Sequence, residues 1–194
     1  MKKFLKHVIG IDVAQDELVV CLGQLGEDLV PAIYGNKAFS NTAKGFSELV
    51  SWVKKKGSVG RFVMEATGVY HESLAYYLDD HGLEVSIITP NKISNYARTL
   101  DVKTVTDKTA SEAITLFGLE RNLEKWKRPN SLFKRLRQLT REREQLVGER
   151  TIVKNQLHAE QAEAEPGGSS VIRKKKRIAL LDKQELEIKQ EIQA

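Results

Sequence analysis

The sequence predicts a mixed α/β domain followed by a helical extension, and three observations carry that prediction. Short, β-branched apolar runs cluster at the start of the chain, with turns between them. Amphipathic helical stretches then alternate with further short runs. The last third shows apolar residues at seven-residue spacing in an otherwise polar background.

In order, Lys6–Ala14 reads as a strand, because His7-Val8-Ile9-Gly10-Ile11 is β-branched and largely apolar, and it runs into Asp12 and a turn. Leu18–Leu22 reads as its hairpin partner, and Leu29–Phe39 supplies a third strand. Asn41 or Thr42 is placed to cap a helix that buries Phe46, Leu49, Val50 and Val53. Arg61–Met64 forms a fourth strand ending at Glu65. After Gly68 a helix runs through His81 with an apolar stripe of Val69, Leu74, Tyr77 and Leu78, and Gly82 stops it. Leu83–Ile88 is a fifth strand closed by Pro90, and helices follow at about Lys92–Leu100 and Thr106–Asn122. The order β-β-β-α-β-α-β-α combines hairpin and crossover connections, unlike a strictly alternating Rossmann or barrel pattern.

Pro129-Asn130-Ser131 marks a domain edge and opens a long helix. Leu132, Leu139, Leu146 and Val153 recur every seventh residue, with Leu136 and Leu157 thickening the stripe. Pro166-Gly167-Gly168-Ser169-Ser170 breaks the chain. A second helix from about Val171 to Ile192 carries Val171, Ile178, Leu181, Ile188 and Ile192 at heptad spacing, with Glu185 as the exception. The expected organisation is therefore a globular domain over residues 1–125 and an antiparallel helical hairpin over 131–194.

Charge is uneven. From Trp126 onward there are 16 Lys/Arg against 10 Asp/Glu, net +6, which leaves −1 for residues 1–125 out of the total of +5. A localised basic surface is the footprint of a polyanion binder, although a solvated helix face gives the same composition. No apolar run approaches the roughly 18 residues of a membrane helix, and the basic start lacks a secretory core. The lone Cys21, inside an apolar run, reads as a buried core thiol and points to a reducing, cytoplasmic setting. No Walker-type phosphate loop, Cys/His zinc set or nucleophile elbow is present, and His7, His71, His81 and His158 lack metal-ligand spacing.

Three acids stand out by position. Asp12 and Glu65 each end an apolar strand, at the rim where α/β sheets build active sites, and Asp107 lies near the start of a later helix. Carboxylates from separate elements can converge on Mg²⁺ or Mn²⁺, the ions that serve phosphodiester chemistry. Each has a plainer explanation. Asp12 could shape a turn, Glu65 could sit at a helix start, and Asp107 could be an N-cap.

Val8-Ile9-Gly10-Ile11-Asp12-Val13-Ala14, Met64-Glu65-Ala66-Thr67-Gly68-Val69-Tyr70 and Lys103-Thr104-Val105-Thr106-Asp107-Lys108 resemble the DEDD transposases of the insertion-sequence group "IS one-ten", relatives of the Piv and MooV invertases. The resemblance spans roughly residues 6–165. It implies an RNase H-like (RuvC-like) mixed sheet with flanking helices, then a coiled-coil hairpin that joins subunits into a homo-oligomer. It also implies Asp12, Glu65 and Asp107 as catalytic, metal-holding residues for Mg²⁺ or Mn²⁺. The substrate would be DNA, cut and transferred under the direction of a structured guide RNA, in the bacterial cytoplasm at the nucleoid. Lys134, Arg137 and Arg141, and the denser run Arg173, Lys174 and Lys175, would then meet nucleic-acid phosphates.

Two departures stand against the pattern. The family's fourth acid lies three residues after the third, on the same helix face, and here that residue is Ala110, which cannot ligate a metal. In otherwise matching surroundings it reads as an engineered change more than as a naturally weakened site. Asp101 lies at the wrong distance to replace it. The family also continues into a domain with a nucleophilic serine that nothing here matches, so the chain is expected to be a fragment that is inactive alone. A Holliday-junction resolvase or nuclease, a non-catalytic nucleic-acid-binding oligomerisation module and an actin-like ATPase are the alternatives. The helical arm argues against the first and the missing glycine-rich phosphate loop against the last.

Overall fold

The computed structural model describes residues 4–57, 60–66, 68–100 and 106–193. Thr67, Lys103-Thr104-Val105 and Asp101 lie outside the described residues. The chain divides into two compact units, Met1–Arg128 and Pro129–Ala194.

The first unit is a five-stranded sheet in the order β3-β2-β1-β4-β5, formed by β1 (Phe4–Val13), β2 (Glu17–Gly26), β3 (Pro31–Ser40), β4 (Arg61–Glu65) and β5 (Val85–Ile88). β1, β2 and β3 pair antiparallel. β1, β4 and β5 pair parallel, as the crossovers through α1 (Ala43–Lys55) and α2 (Glu72–Asp80) require. α3 (Pro90–Ala97) and α4 (Asp107–Glu120) complete the unit.

Strand alternation sorts the core into two layers. Ile9, Ile11, Phe62 and Met64 pack with Phe46, Leu49, Leu74 and Leu78. Val8 and Val63 pack on the opposite face with Ile93, Ile114 and Leu119. The expected α1 stripe is buried in full, and Thr42 supplies its N-cap by accepting from the Gly45 N–H. Trp126 N–H donates to Val85 O (2.7 Å) and the Ser86 hydroxyl to Glu124 O (2.6 Å), so the 124–126 segment lies along β5.

Several boundaries differ from the sequence expectation. α2 begins at Glu72 and not directly after Gly68, because the turn at Gly68 (φ +60°) continues past it and leaves Val69 62% exposed and outside the buried stripe. β3 begins at Pro31, because Leu29 takes a positive φ in the preceding turn. α3 begins at Pro90, where proline suits the first helical turn.

The second unit pairs α5 (Ser131–Gln161) with α6 (Gly168–Gln193). Asn130 caps α5 by accepting from the Leu132 N–H (2.8 Å). The ion pairs Arg135–Glu191, Arg150–Asp182 and Lys174–Glu160 run in opposite chain order, which fixes an antiparallel hairpin. Leu139, Val153, Leu181 and Ile188 fill the seam, whereas Leu132 and Leu136 at its open end stay exposed. Glu185, the break in the heptad pattern, is itself buried in the seam. Its carboxylate meets Arg150, Arg143 (3.3 Å) and Lys189 (2.8 Å). Among the described residues, no helix is long and apolar enough to cross a membrane.

Candidate active site

The rim of the first unit is built by alternation and register. β1 sends Val8 and Gly10 to the α4 face, so Asp12 follows them there. β4 sends Val63 to the same face, so Glu65 follows it. The parallel register pairs Ile11 with Met64, and one residue further on Asp12 stands beside Glu65 at the carboxyl ends of adjacent strands. Asp107 opens α4, the helix packed across that face. The plainer readings of Asp107 and Glu65 weaken here. Thr106, not Asp107, is the N-cap of α4, locked in a capping box with Thr109. Glu65 ends its strand seven residues before α2 begins.

α4 reaches this place because small residues let it lie on the sheet. A Cβ on Gly10 would fall 2.1 Å from the Thr115 hydroxyl and 2.8 Å from Ser111 O. Ser111 and Thr115 are fully buried, and the Thr115 hydroxyl is satisfied by Ser111 O (2.7 Å) and Cys21 O (3.2 Å).

Electrostatics register the convergence. The Asp12 carboxyl is raised to about 6, first by burial, then by the neighbouring charges of Asp107 and Glu65, against a lowering hydrogen bond from the Val13 backbone. Among the described residues, no three His, Cys, Asp or Glu side chains gather closely enough to hold a metal ion by themselves. Ala110, one turn along α4 from Asp107, lines a cleft of about 470 Å³ with Glu65 and residues of α3.

Two rim loops are tied together by residues that the sequence reading did not place. Asn41 Nδ2 donates to Ala14 O (2.8 Å) and Tyr70 O (3.2 Å), and the Tyr70 hydroxyl donates to Gln15 Oε1 (3.3 Å). Asn41 was visible only as a possible cap, and its bridge joins positions too distant in sequence for any local pattern to reveal.

The six arm residues do not form one patch. Lys134, Arg137 and Arg141 lie in the first turns of α5, with Arg137 and Arg141 bordering a shallow groove beside Phe133 and Leu136. Arg173, Lys174 and Lys175 lie near the turn of the hairpin, and Lys174 is engaged by Glu160 and the Ser170 hydroxyl (3.0 Å).

Residues 9–161 match the DEDD transposase family of the IS110 type, described as "Transposase". The chain belongs to that family. Its five-stranded mixed sheet with flanking helices has the layout expected from the sequence. The chain is 32% identical over 153 residues to the "Pilin gene-inverting protein" of Moraxella bovis, a match over 75% of this chain and 46% of that protein. The Moraxella lacunata protein of the same name matches equally. The chain thus spans about half the length of these curated relatives. Among solved structures it is similar to Thermus thermophilus RuvC bound to a Holliday junction substrate, with a TM-score of 0.47, 9% identity and coverage of 62% of this chain and 99% of RuvC. A yeast mitochondrial Holliday junction resolvase gives a TM-score of 0.42 at 12% identity over 59% of this chain and 79% of the resolvase.

Proposed function

We propose that the sheet unit of this DEDD transposase is the DNA-cleaving part of an insertion-sequence recombinase, with Asp12, Glu65 and Asp107 holding Mg²⁺ or Mn²⁺ against the scissile phosphate. The observation that carries this reading is the placement of Asp12 beside Glu65 on the face that α4 covers, with Asp107 close enough to raise the Asp12 carboxyl. Three oxygen donors from three elements suit a hard divalent cation, and their mutual repulsion is what such an ion relieves. Because the three do not close a cage by themselves, part of the coordination shell would come from phosphate oxygens and water. When bound, the ions would supply a water or hydroxyl nucleophile and charge neutralisation at the leaving oxygen. The chain's own contribution is orientation. β1 and β4 fix two carboxylates, α4 fixes the third, and Asn41 holds the flanking loops.

Ala110 leaves the α4 side of the site one carboxylate short of the family pattern. This favours a second reading, in which this particular chain binds nucleic acid without cutting it. Titration with Mn²⁺ followed by calorimetry separates the two. Ala110→Asp is expected to tighten binding about tenfold, roughly 1.4 kcal/mol, and to bring plasmid nicking with it. Equal binding by both chains would remove the fourth-ligand assignment.

For the arm, we read the basic ends of α5 and α6 as phosphate contacts to DNA or to a structured guide RNA, and the seam as a coiled coil through which copies associate. This would take place in the bacterial cytoplasm at the nucleoid. Salt-dependent affinity for structured RNA against duplex DNA tests the first part, and light scattering across concentration tests the second. A chain that stays monomeric at high concentration sinks the oligomer.

A further inference from the structure

We propose that the cleft between α3 and α4 is a subsite for one unpaired nucleotide next to the scissile phosphate, with Arg98 as its phosphate-binding, positioning residue. This rests on the reading of the rim as a phosphodiester-cleaving site and gives that site a strand-binding wall. The cleft runs from Glu65 to the end of α3, and its volume of about 470 Å³ lies in the range of small-molecule sites, roughly 300–1,000 Å³. That is enough for a nucleotide and too little for a duplex. Ile93, Ala97, Leu100 and Ala113 give its walls an aliphatic surface against which a base can pack.

The two charges in the lining stand in different elements, the Glu65 carboxylate at the strand end and the Arg98 guanidinium at the C-terminus of α3. Among the described residues no ion pair engages Arg98, which is exposed, while its backbone is held by Ser94 O (3.3 Å). A polyanion brought against three carboxylates needs a cation beside them. Arg98 supplies one with the planar fork that matches a phosphate. An apolar peptide in the same place would leave the Arg98 charge unanswered, whereas a nucleotide answers Arg98 with its phosphate and the walls with its base.

The test is binding of a short single-stranded DNA oligonucleotide to the full chain, free of divalent metal, across a series of KCl concentrations. Arg98→Ala should flatten the logarithmic salt dependence by about 0.7, the share of one phosphate contact on a single strand, and Arg98→Lys should restore it. Ala97→Leu fills the apolar wall. It should weaken single-strand binding several-fold with the salt slope kept and leave duplex binding unchanged. Tryptophan fluorescence of Trp52 and Trp126, both in the sheet unit, checks that each variant is folded. An Arg98→Ala chain with the parent slope, or a folded Ala97→Leu chain with the parent affinity, overturns the subsite and leaves the cleavage site standing. A parent chain that binds neither single strand nor duplex at any salt overturns both.

Discussion

Two carboxylates in this molecule, Asp12 in the sheet unit and Glu185 in the hairpin, are both withdrawn from water and are treated in opposite ways. Glu185 is surrounded by cations. The hydrogen bond from Lys189, followed by the charge of Arg150, holds its carboxyl below the ordinary range despite burial. Asp12 is surrounded by anions, and its carboxyl is pushed up to about 6. The hairpin neutralises its buried charge with its own side chains, and among its described residues the sheet unit does not. A charge answered within its own unit serves architecture, and one left among like charges is what the proposed metal site would draw on.

The largest expected effect strikes the scaffold under that rim. Gly10→Val places atoms where the Thr115 hydroxyl and backbone already stand, so α4 must lift from β1. A loss of about 3 kcal/mol or more is expected in denaturant melts followed by tryptophan fluorescence, which reports only the sheet unit. A melt like that of the parent would mean that α4 does not pack as described.

Next comes Asp12→Asn. The native carboxyl titrates near 6 against an ordinary 3.8, so protonation favours the folded state. Its contribution is full below about 3.8 and is lost as pH rises through 6. At pH 7 without metal the Asn variant should therefore be more stable than the parent, by about 1–3 kcal/mol on the scale of 1.36 kcal/mol per pKa unit. At low pH the two should converge. The same variant should lose Mn²⁺ affinity, and parent affinity should weaken as pH falls below 6. A destabilised Asn variant at pH 7 would erase the contrast between the two carboxylates.

The smallest effect is in the hairpin. There the sign is reversed, because a lowered carboxyl contributes stability above its ordinary 4.5 and loses it as pH falls further. Glu185→Gln should lower the helical melting temperature by several degrees and remove this acid sensitivity, while Glu185→Leu, which suits a seam position, should match or exceed the parent. If Gln and Leu behave alike, the cations around Glu185 are not what holds it there.

Much of this was legible in the chain. Strand alternation around Val8, Gly10 and Asp12, and around Val63 and Glu65, is a local signal, so the sheet and two of its acids could be read directly. The α1 stripe was equally plain. The start of α2 was not, because Val69 matches a helical stripe by spacing while Gly68 sends it to the surface, and periodicity cannot see a positive φ. Glu185 read as a defect in the heptads, because Arg150 and Arg143, the residues that justify it, come from the other helix. Arg98 and the Asn41 bridge stayed invisible for the same reason. Their meaning lies in neighbours that only folding supplies.

The contact of Gly10 with Ser111 and Thr115 carries one more consequence. With no side chain between strand and helix, Asp12 and Asp107 are mounted on parts that cannot slide past each other. The buried contact between strand and helix sets how far apart their two ends stand. If the proposed cleavage function holds, selection for a different metal or a different scissile bond would find little freedom at these two acids, and would have to act through other residues of the rim.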